Sequence, residues 1–339
     1  MLRSYRRENS YLVLAQEGIP TETSGPADVP VWIDLYNPAP QDNRYVEQLL
    51  GISLPTREEM QEIEVSARLY QEDGAEFMTL TAASRLESDE PTNTPITFVL
   101  KGNTLVTVRY EEPKAFANFV VRAQRSNAVP VFNGEQIMMG LIEALLDRMA
   151  DALERVGNGI DQVSRQVFRK GKTETRKGRA EKVSPSGDDL QAVIERIGQD
   201  GDLLTKVRES LVSINRVLTY HTSVEQQDKK VTKEAKARTK VLYRDVVALT
   251  DQATFLSSKV NFLLDATLGL INLQQNQIIK IFSVAAVVFL PPTLVASIYG
   301  MNFADIPELK WMFGYPWALG LMVVSAILPY LYFKRRRWL

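Results

Sequence analysis

The residues best suited to handling an ion lie along one charge-free stretch near the C-terminal end. Stepping by seven, which returns to nearly the same face of a helix, joins Asn276, Ser283, Leu290 and Ser297, and the neighbouring row joins Ile279, Ala286, Thr293 and Gly300. Small residues with Ser and Thr serve close helix packing in membranes. The same side chains, with backbone carbonyls, can also line a path for a hydrated cation, and the stripe alone admits both readings. Pro291 and Pro292 free backbone carbonyls in mid-stretch, which is tolerated where neighbouring helices or water satisfy them. No Asp, Glu, Lys or Arg lies within 281–299 or 311–333, so no proton relay or counter-ion pair is expected there. Recognition falls to neutral dipoles, and Mg²⁺, which dehydrates reluctantly and is often bound through its own water, suits them.

Composition excludes other chemistry. With no Cys and 1 His, the chain makes no disulfide, thiol nucleophile or two-His metal site, so any metal is expected to meet oxygen ligands. The single histidine, His221 in Tyr220-His221-Thr222, reads as incidental. No phosphate loop or nucleophile elbow occurs, so neither an enzyme nor an organic cofactor is expected. Lys plus Arg at 40 against Asp plus Glu at 41 gives a formal net charge of −1, without the basic field that holds nucleic acid.

The prolines divide the chain. Most of the 16 fall at or before Pro130, and only Pro185 lies between there and Leu290. Proline breaks helix interiors, so 1–130 should hold short elements and 131–280 long helices. In 1–130, β-rich runs at Ser10–Ala15, Val31–Leu35, Glu76–Leu86, Pro95–Leu100 and Thr104–Tyr110, with a hairpin at Lys101-Gly102-Asn103, predict a mixed α/β sheet. Thr56-Arg57-Glu58-Glu59 fits a capping box opening a short helix, and Lys114–Ser126 is a second helix. Helices follow at 136–169 and 190–217, separated by a polar, basic connection, Gly171 to Asp189, read as an exposed turn. Leu242, Val246, Leu249, Ala253, Leu256, Val260 and Leu263 form a heptad seam, implying a coiled-coil-like stalk that supplies the oligomerising force. With no stop signal after it, this helix should run unbroken into the membrane.

Two stretches are long enough to cross a hydrocarbon core of roughly 30 Å. They give a first span at 281–302, an outer loop at 303–316, a second span at 317–333 and a basic tail at 334–339. Asp305, Glu308 and Lys310 stand in the loop, and Lys334, Arg335, Arg336 and Arg337 in the tail, which places the tail inside. An even number of spans puts the N-terminal part on the same side, and no apolar stretch follows Met1 as a signal peptide would require. Two spans cannot enclose a polar path alone, so transport would need an oligomer.

Tyr299-Gly300-Met301-Asn302-Phe303 at the outer end of the first span, with Pro307-Glu308-Leu309 and a Lys/Arg-rich end, resembles the CorA magnesium/cobalt channel family. Leu290 to Phe303 and Asn272 to Ser283 are especially similar to proteobacterial members, and Val31–Leu35 and Ile63–Leu69 extend the similarity to nearly the whole chain. The resemblance implies an α+β membrane protein, a funnel-shaped homopentamer in the cell inner membrane that admits Mg²⁺, with Co²⁺ and Ni²⁺, and is closed by intracellular Mg²⁺. It implies a selectivity filter of Gly300, Met301 and Asn302, pore-facing Asn276, Ile279, Phe282, Leu290 and Thr293, and cation attraction by Asp305 and Glu308. Ile279 and Phe282 would form the apolar constriction. The carboxylates that match regulatory metal positions in kind are Glu87, Asp89, Glu90 and Asp245, which could equally be surface acids. Ala304 stands where the family commonly has Glu, and the connection at 171–189 is longer and less acidic than usual. The alternatives are a Zn²⁺ transporter of the same superfamily and a membrane-anchored coiled-coil scaffold without transport.

Overall fold

The computed structural model describes residues 1–8, 11–19, 30–88, 90–125, 133–168, 174–176, 179–181, 187–225, 233–301, 307 and 311–336. The chain divides into two compact units, 1–184 with 191–264 and 185–190 with 265–339.

The first unit contains a seven-stranded mixed sheet in the order β2-β1-β3-β7-β6-β5-β4. Its strands are β1 (Leu2–Glu8), β2 (Tyr11–Glu17), β3 (Trp32–Tyr36), β4 (Leu69–Glu72), β5 (Ala75–Ser84), β6 (Thr92–Lys101) and β7 (Thr104–Arg109). β3 and β7 run parallel and every other neighbouring pair antiparallel. The expected β6–β7 hairpin forms, with Gly102 at φ 58 in the left-handed region that two-residue turns require. β1 is invisible to an alternation reading: a bulge between Ser4 and Tyr5 leaves Leu2 and Tyr5 as its buried residues, three apart rather than two. The capping box is present, with Thr56 N–H donating to Glu59 Oε2 at 2.8 Å and Glu59 N–H to Thr56 Oγ1 at 3.3 Å. It opens only a 3₁₀ turn, Glu59–Gln61.

Alternation along β3 sends Ile33 and Leu35 into an apolar cluster with Val46 of α1 (Pro40–Leu50), Met60, Phe77 and Val106, and a single-turn α2 (Val65–Arg68) leads into β4. Trp32 and Asp34 point to the other face. There Trp32 stacks on Tyr5 and meets Phe116 and Phe119 of α3 (Lys114–Ala123). Asp34 is 1% exposed and accepts both arms of Arg109, Nε at 3.0 Å and Nη2 at 2.8 Å, plus Thr107 Oγ1 at 2.8 Å. The guanidinium lies over the rings of Tyr36 and Phe116. A buried pair this well satisfied adds little over apolar packing, but losing one partner strands a charge. Asp34→Ala is expected to cost about 3–5 kcal/mol, read as a drop in melting temperature that Asp34→Ala with Arg109→Met largely restores.

Three long helices pack in the first unit: α4 (Gly134–Phe168), α5 (Gly187–Glu225) and the early part of α6 (Lys233–Tyr299). Gly134 must be glycine, since a Cβ there would lie 2.4 Å from the Leu105 nitrogen on β7. Beyond its short pairing with β4, the outer edge of β5 is closed by α5: Thr81 N–H donates to Ser213 Oγ at 2.8 Å and Ala83 N–H to Ser210 Oγ at 3.1 Å.

The heptad seam has a different partner from the one expected. Leu242, Val246, Ala253, Leu256, Val260 and Leu263 are all at most 5% exposed within one chain. A Cβ on Gly157 of α4 would touch Leu256, and one on Gly201 of α5 would touch Val260, so the seam faces an intrachain bundle. Phe168 stacks on Phe262, Arg238 pairs with Glu143 at 3.0 Å, and Lys259 pairs with Asp161. A seven-residue repeat reports that a helix is covered along one stripe, not which chain covers it. The oligomerising force assigned to this seam must therefore come from other surfaces. The connection at 171–189 contains a two-stranded antiparallel ribbon, β8 (Glu174–Arg176) and β9 (Arg179–Glu181), which its polar composition did not announce.

The second unit contains the end of α6 and α7 (Gly314–Arg335). α6 continues without interruption to Tyr299, through Pro291 and Pro292, as the absence of a stop signal predicted. Among the described residues, α6 and α7 are the helices long and apolar enough to cross a membrane.

Candidate functional site

Within the second unit α6 is covered along one stripe only. Val284 is buried and Val288, Pro292, Val295 and Tyr299 are half-buried, at steps of four, four, three and four. The small-polar rows lie on a different side: Asn276, Ser283, Leu290, Ser297, Ile279, Ala286, Thr293 and Gly300 are all exposed. Close packing inside the chain therefore does not account for the stripe, and other copies of the chain, water or lipid must meet it. Large apolar side chains on it are strongly exposed, with Ile279 at 61% and Leu290 at 65%, as is Phe282, off its centre, at 71%. In water this surface would aggregate; bilayer or a ring of copies gives it a place.

Local structure leaves polar backbone groups of this helix without their usual partners. The prolines remove the N–H donors that would meet the carbonyls of Val287 and Val288 four residues earlier. Thr293 folds its hydroxyl back onto the carbonyl of Phe289 at 2.8 Å. At the end of the helix Gly300 N–H reaches the Ala296 carbonyl at 2.9 Å and Met301 N–H the Ile298 carbonyl at 3.3 Å, so the chain turns as Gly-Met-Asn begins. Gly300 and Met301 are exposed; Asn302, Asp305 and Glu308 lie outside the described residues.

Among the described residues, Glu87, Glu90 and Asp245 are not gathered into a group that could hold a metal ion. Glu87 is held by Lys114, Arg148 and, at 3.7 Å, Arg155. Hydrogen bonds from Lys114 and then Arg148 hold its carboxyl down to about 2. A cation would have to displace these side chains. Glu90 on the loop after β5 and Asp245 on α6 are exposed, and Asp89 lies outside the described residues.

His221 corrects the sequence reading. It is 3% exposed and lies among the carboxylates of Glu76 on β5, Glu135 on α4 and Glu225 one turn along α5. Burial opposes its charge, and the carboxylates of Glu135 and Glu76 outweigh burial and push it to about 9. Burial raises Glu225 to about 7 against the pull of His221, with Glu135 adding to the rise. Its partners come from three distant segments; the one local trace was His221 and Glu225 four apart on a helix face.

A large α/β unit followed by two apolar helices, the first with an uncovered polar stripe ending at Gly-Met-Asn, defines a two-span membrane protein. The family described as CorA-like Mg2+ transporter protein matches residues 27–335, and the chain belongs to it. It is 35% identical over 339 residues to the magnesium transport protein CorA of Escherichia coli, covering 100% of both chains. It is 35% identical over 310 residues to the protein of that name from Yersinia pseudotuberculosis, covering 91% of this chain and 92% of that one. Its fold matches the complete structure of the CorA magnesium transporter from Methanocaldococcus jannaschii with a TM-score of 0.74 at 20% identity, over 100% of this chain and 99% of that one.

Proposed function

We propose that the chain is a Mg²⁺ channel, also passing Co²⁺ and Ni²⁺, that works as a homopentamer in the cell inner membrane with both termini in the cytoplasm. The observation that carries this reading is the full-length 35% identity to relatives named magnesium transport protein. The uncovered stripe on α6 supports it, because two helices cannot close a pore and five copies of this face can. Asn276, Ile279, Phe282, Leu290 and Thr293 line the path; Gly300, Met301 and Asn302 form the outer filter; Asp305 and Glu308 raise the local cation concentration at the mouth. Transport needs no enzymatic step, since a dication gains about 2 × 2.3 kcal/mol per 100 mV on entry. Cells lacking their own Mg²⁺ uptake and expressing this chain should grow in low Mg²⁺ and take up Mg²⁺ in preference to Zn²⁺. Uptake of Zn²⁺ alone would overturn the assignment.

Intracellular Mg²⁺ closes the channel by bridging carboxylates of neighbouring copies, with Asp89 and Asp245 the main ligands and Glu90 beside them, whereas Glu87 is kept from this role by Lys114, Arg148 and Arg155. A hard dication held by acids from two copies ties them together, and its loss lets like charges repel. Asp89→Asn with Asp245→Asn should raise current at millimolar internal Mg²⁺ and remove Mg²⁺ protection against protease. An unchanged inhibition curve would dismiss these residues.

A further inference from the structure

We propose that His221, Glu135 and Glu225 form a site for a divalent transition cation of the zinc class inside the first unit. The imidazole is the starting point. Its Nδ1 lies 2.9 Å from Glu76 Oε2, so Nδ1–H donates to that carboxylate and Nε2, on the opposite side of the ring, is left to hold either a proton or a metal ion. Nε2 has no hydrogen-bond partner among the described residues, and neither has Oε1 of Glu225. Nε2 faces Glu225 Oε1 at 3.8 Å and Glu135 Oε1 at 4.0 Å, too far for hydrogen bonds. One ligand atom from each of the three residues lies within 4.8 Å of the others. Two carboxylates facing Nε2 in a water-poor setting call for positive charge between them, which a proton on Nε2 supplies and a metal ion that displaces that proton supplies more strongly.

The spacing suits a metal. Ligands about 2.1 Å from a tetrahedral zinc-class ion are about 3.4 Å apart, so the two edges at Nε2 need to contract by about half an ångström and the third, within 4.8 Å, by at most about 1.4 Å to close the triangle on an ion. Glu76 then acts as the carboxylate that fixes a metal-bound imidazole, a common outer partner of such ligands. An imidazole with two carboxylates favours a borderline ion over Mg²⁺, which asks for oxygen and water around it. A cleft of about 600 Å³ lined by Thr222, Glu225, Lys236 and Thr239 reaches one of the three ligands, Glu225, from outside. A bound ion would tie β5, the first turn of α4 and the end of α5 together.

The test exploits the single histidine. Untagged full-length protein, stripped with chelator and held in millimolar Mg²⁺ to fill oxygen sites, is given Zn²⁺, and bound zinc is measured by dialysis and zinc-edge X-ray absorption. One Zn²⁺ per chain is expected, with outer-shell scattering from one imidazole, which can only be His221. His221→Gln should remove that scattering and weaken binding at least about tenfold, and Glu225→Gln should weaken it similarly. Absence of imidazole scattering in the unmutated protein overturns the site whatever the variants do, as does undiminished zinc affinity in folded His221→Gln.

Discussion

Asn302→Ala is expected to abolish Mg²⁺ flux while the oligomer still assembles. With no ionised side chain within 281–299 or 311–333, the amide that follows the last turn of α6 is the strongest neutral dipole available to a hydrated cation at the outer mouth. Mg²⁺ gives up its water reluctantly, so such a ring recognises the ion through that water, the amide oxygens accepting its hydrogen bonds. At about 1 kcal/mol per hydrogen bond, a ring of copies contributes several kcal/mol, and each 1.4 kcal/mol is tenfold. Flux should therefore fall by orders of magnitude, while light scattering reports an unchanged oligomer, because Ala leaves α6 and its covered stripe intact. Undiminished flux with unchanged preference among divalent cations would remove the filter assignment.

Replacing Ile279 and Phe282 together with Ser is expected to give a channel that conducts even when internal Mg²⁺ is high. The two are three apart on one helix face, and at 61% and 71% exposure neither is held by its own chain. Apolar rings of this kind block ions by dewetting, without plugging the path. Serine hydroxyls would keep the constriction wet, so closing the cytoplasmic ring of carboxylates would no longer stop current. Single-channel recording with millimolar Mg²⁺ on the cytoplasmic side makes the comparison. Complete inhibition in the double variant would place the gate elsewhere on α6.

The two variants probe features the sequence showed unevenly. The polar stripe was legible because a helix in a membrane keeps a strict period, and its being uncovered could only be seen once Val284, Val288, Pro292 and Val295 were found on the other side. Most of the sheet was legible from alternation and turn residues. β1 was not, since a bulge breaks its period, and β4 was not, since its four residues are only half-buried or exposed. The heptad seam was read correctly as a covered face and assigned to the wrong cover, because Leu256 and Val260 carry no information on whether α4 and α5 belong to the same chain. His221 was misread for a related reason: Glu76, Glu135 and Glu225 converge on it only through the tertiary fold. Local periodicity records what each element buries, whereas a site assembled from three elements is written in their packing.

The most direct measurement is Mg²⁺ entry into liposomes carrying only the purified protein, followed with an internal Mg²⁺-sensitive dye while a potassium gradient sets the membrane potential. Entry without ATP is predicted, rising as the interior is made more negative in the way a doubly charged ion requires. Liposomes that take up no Mg²⁺ at any potential, although the oligomer is intact, would contradict the account.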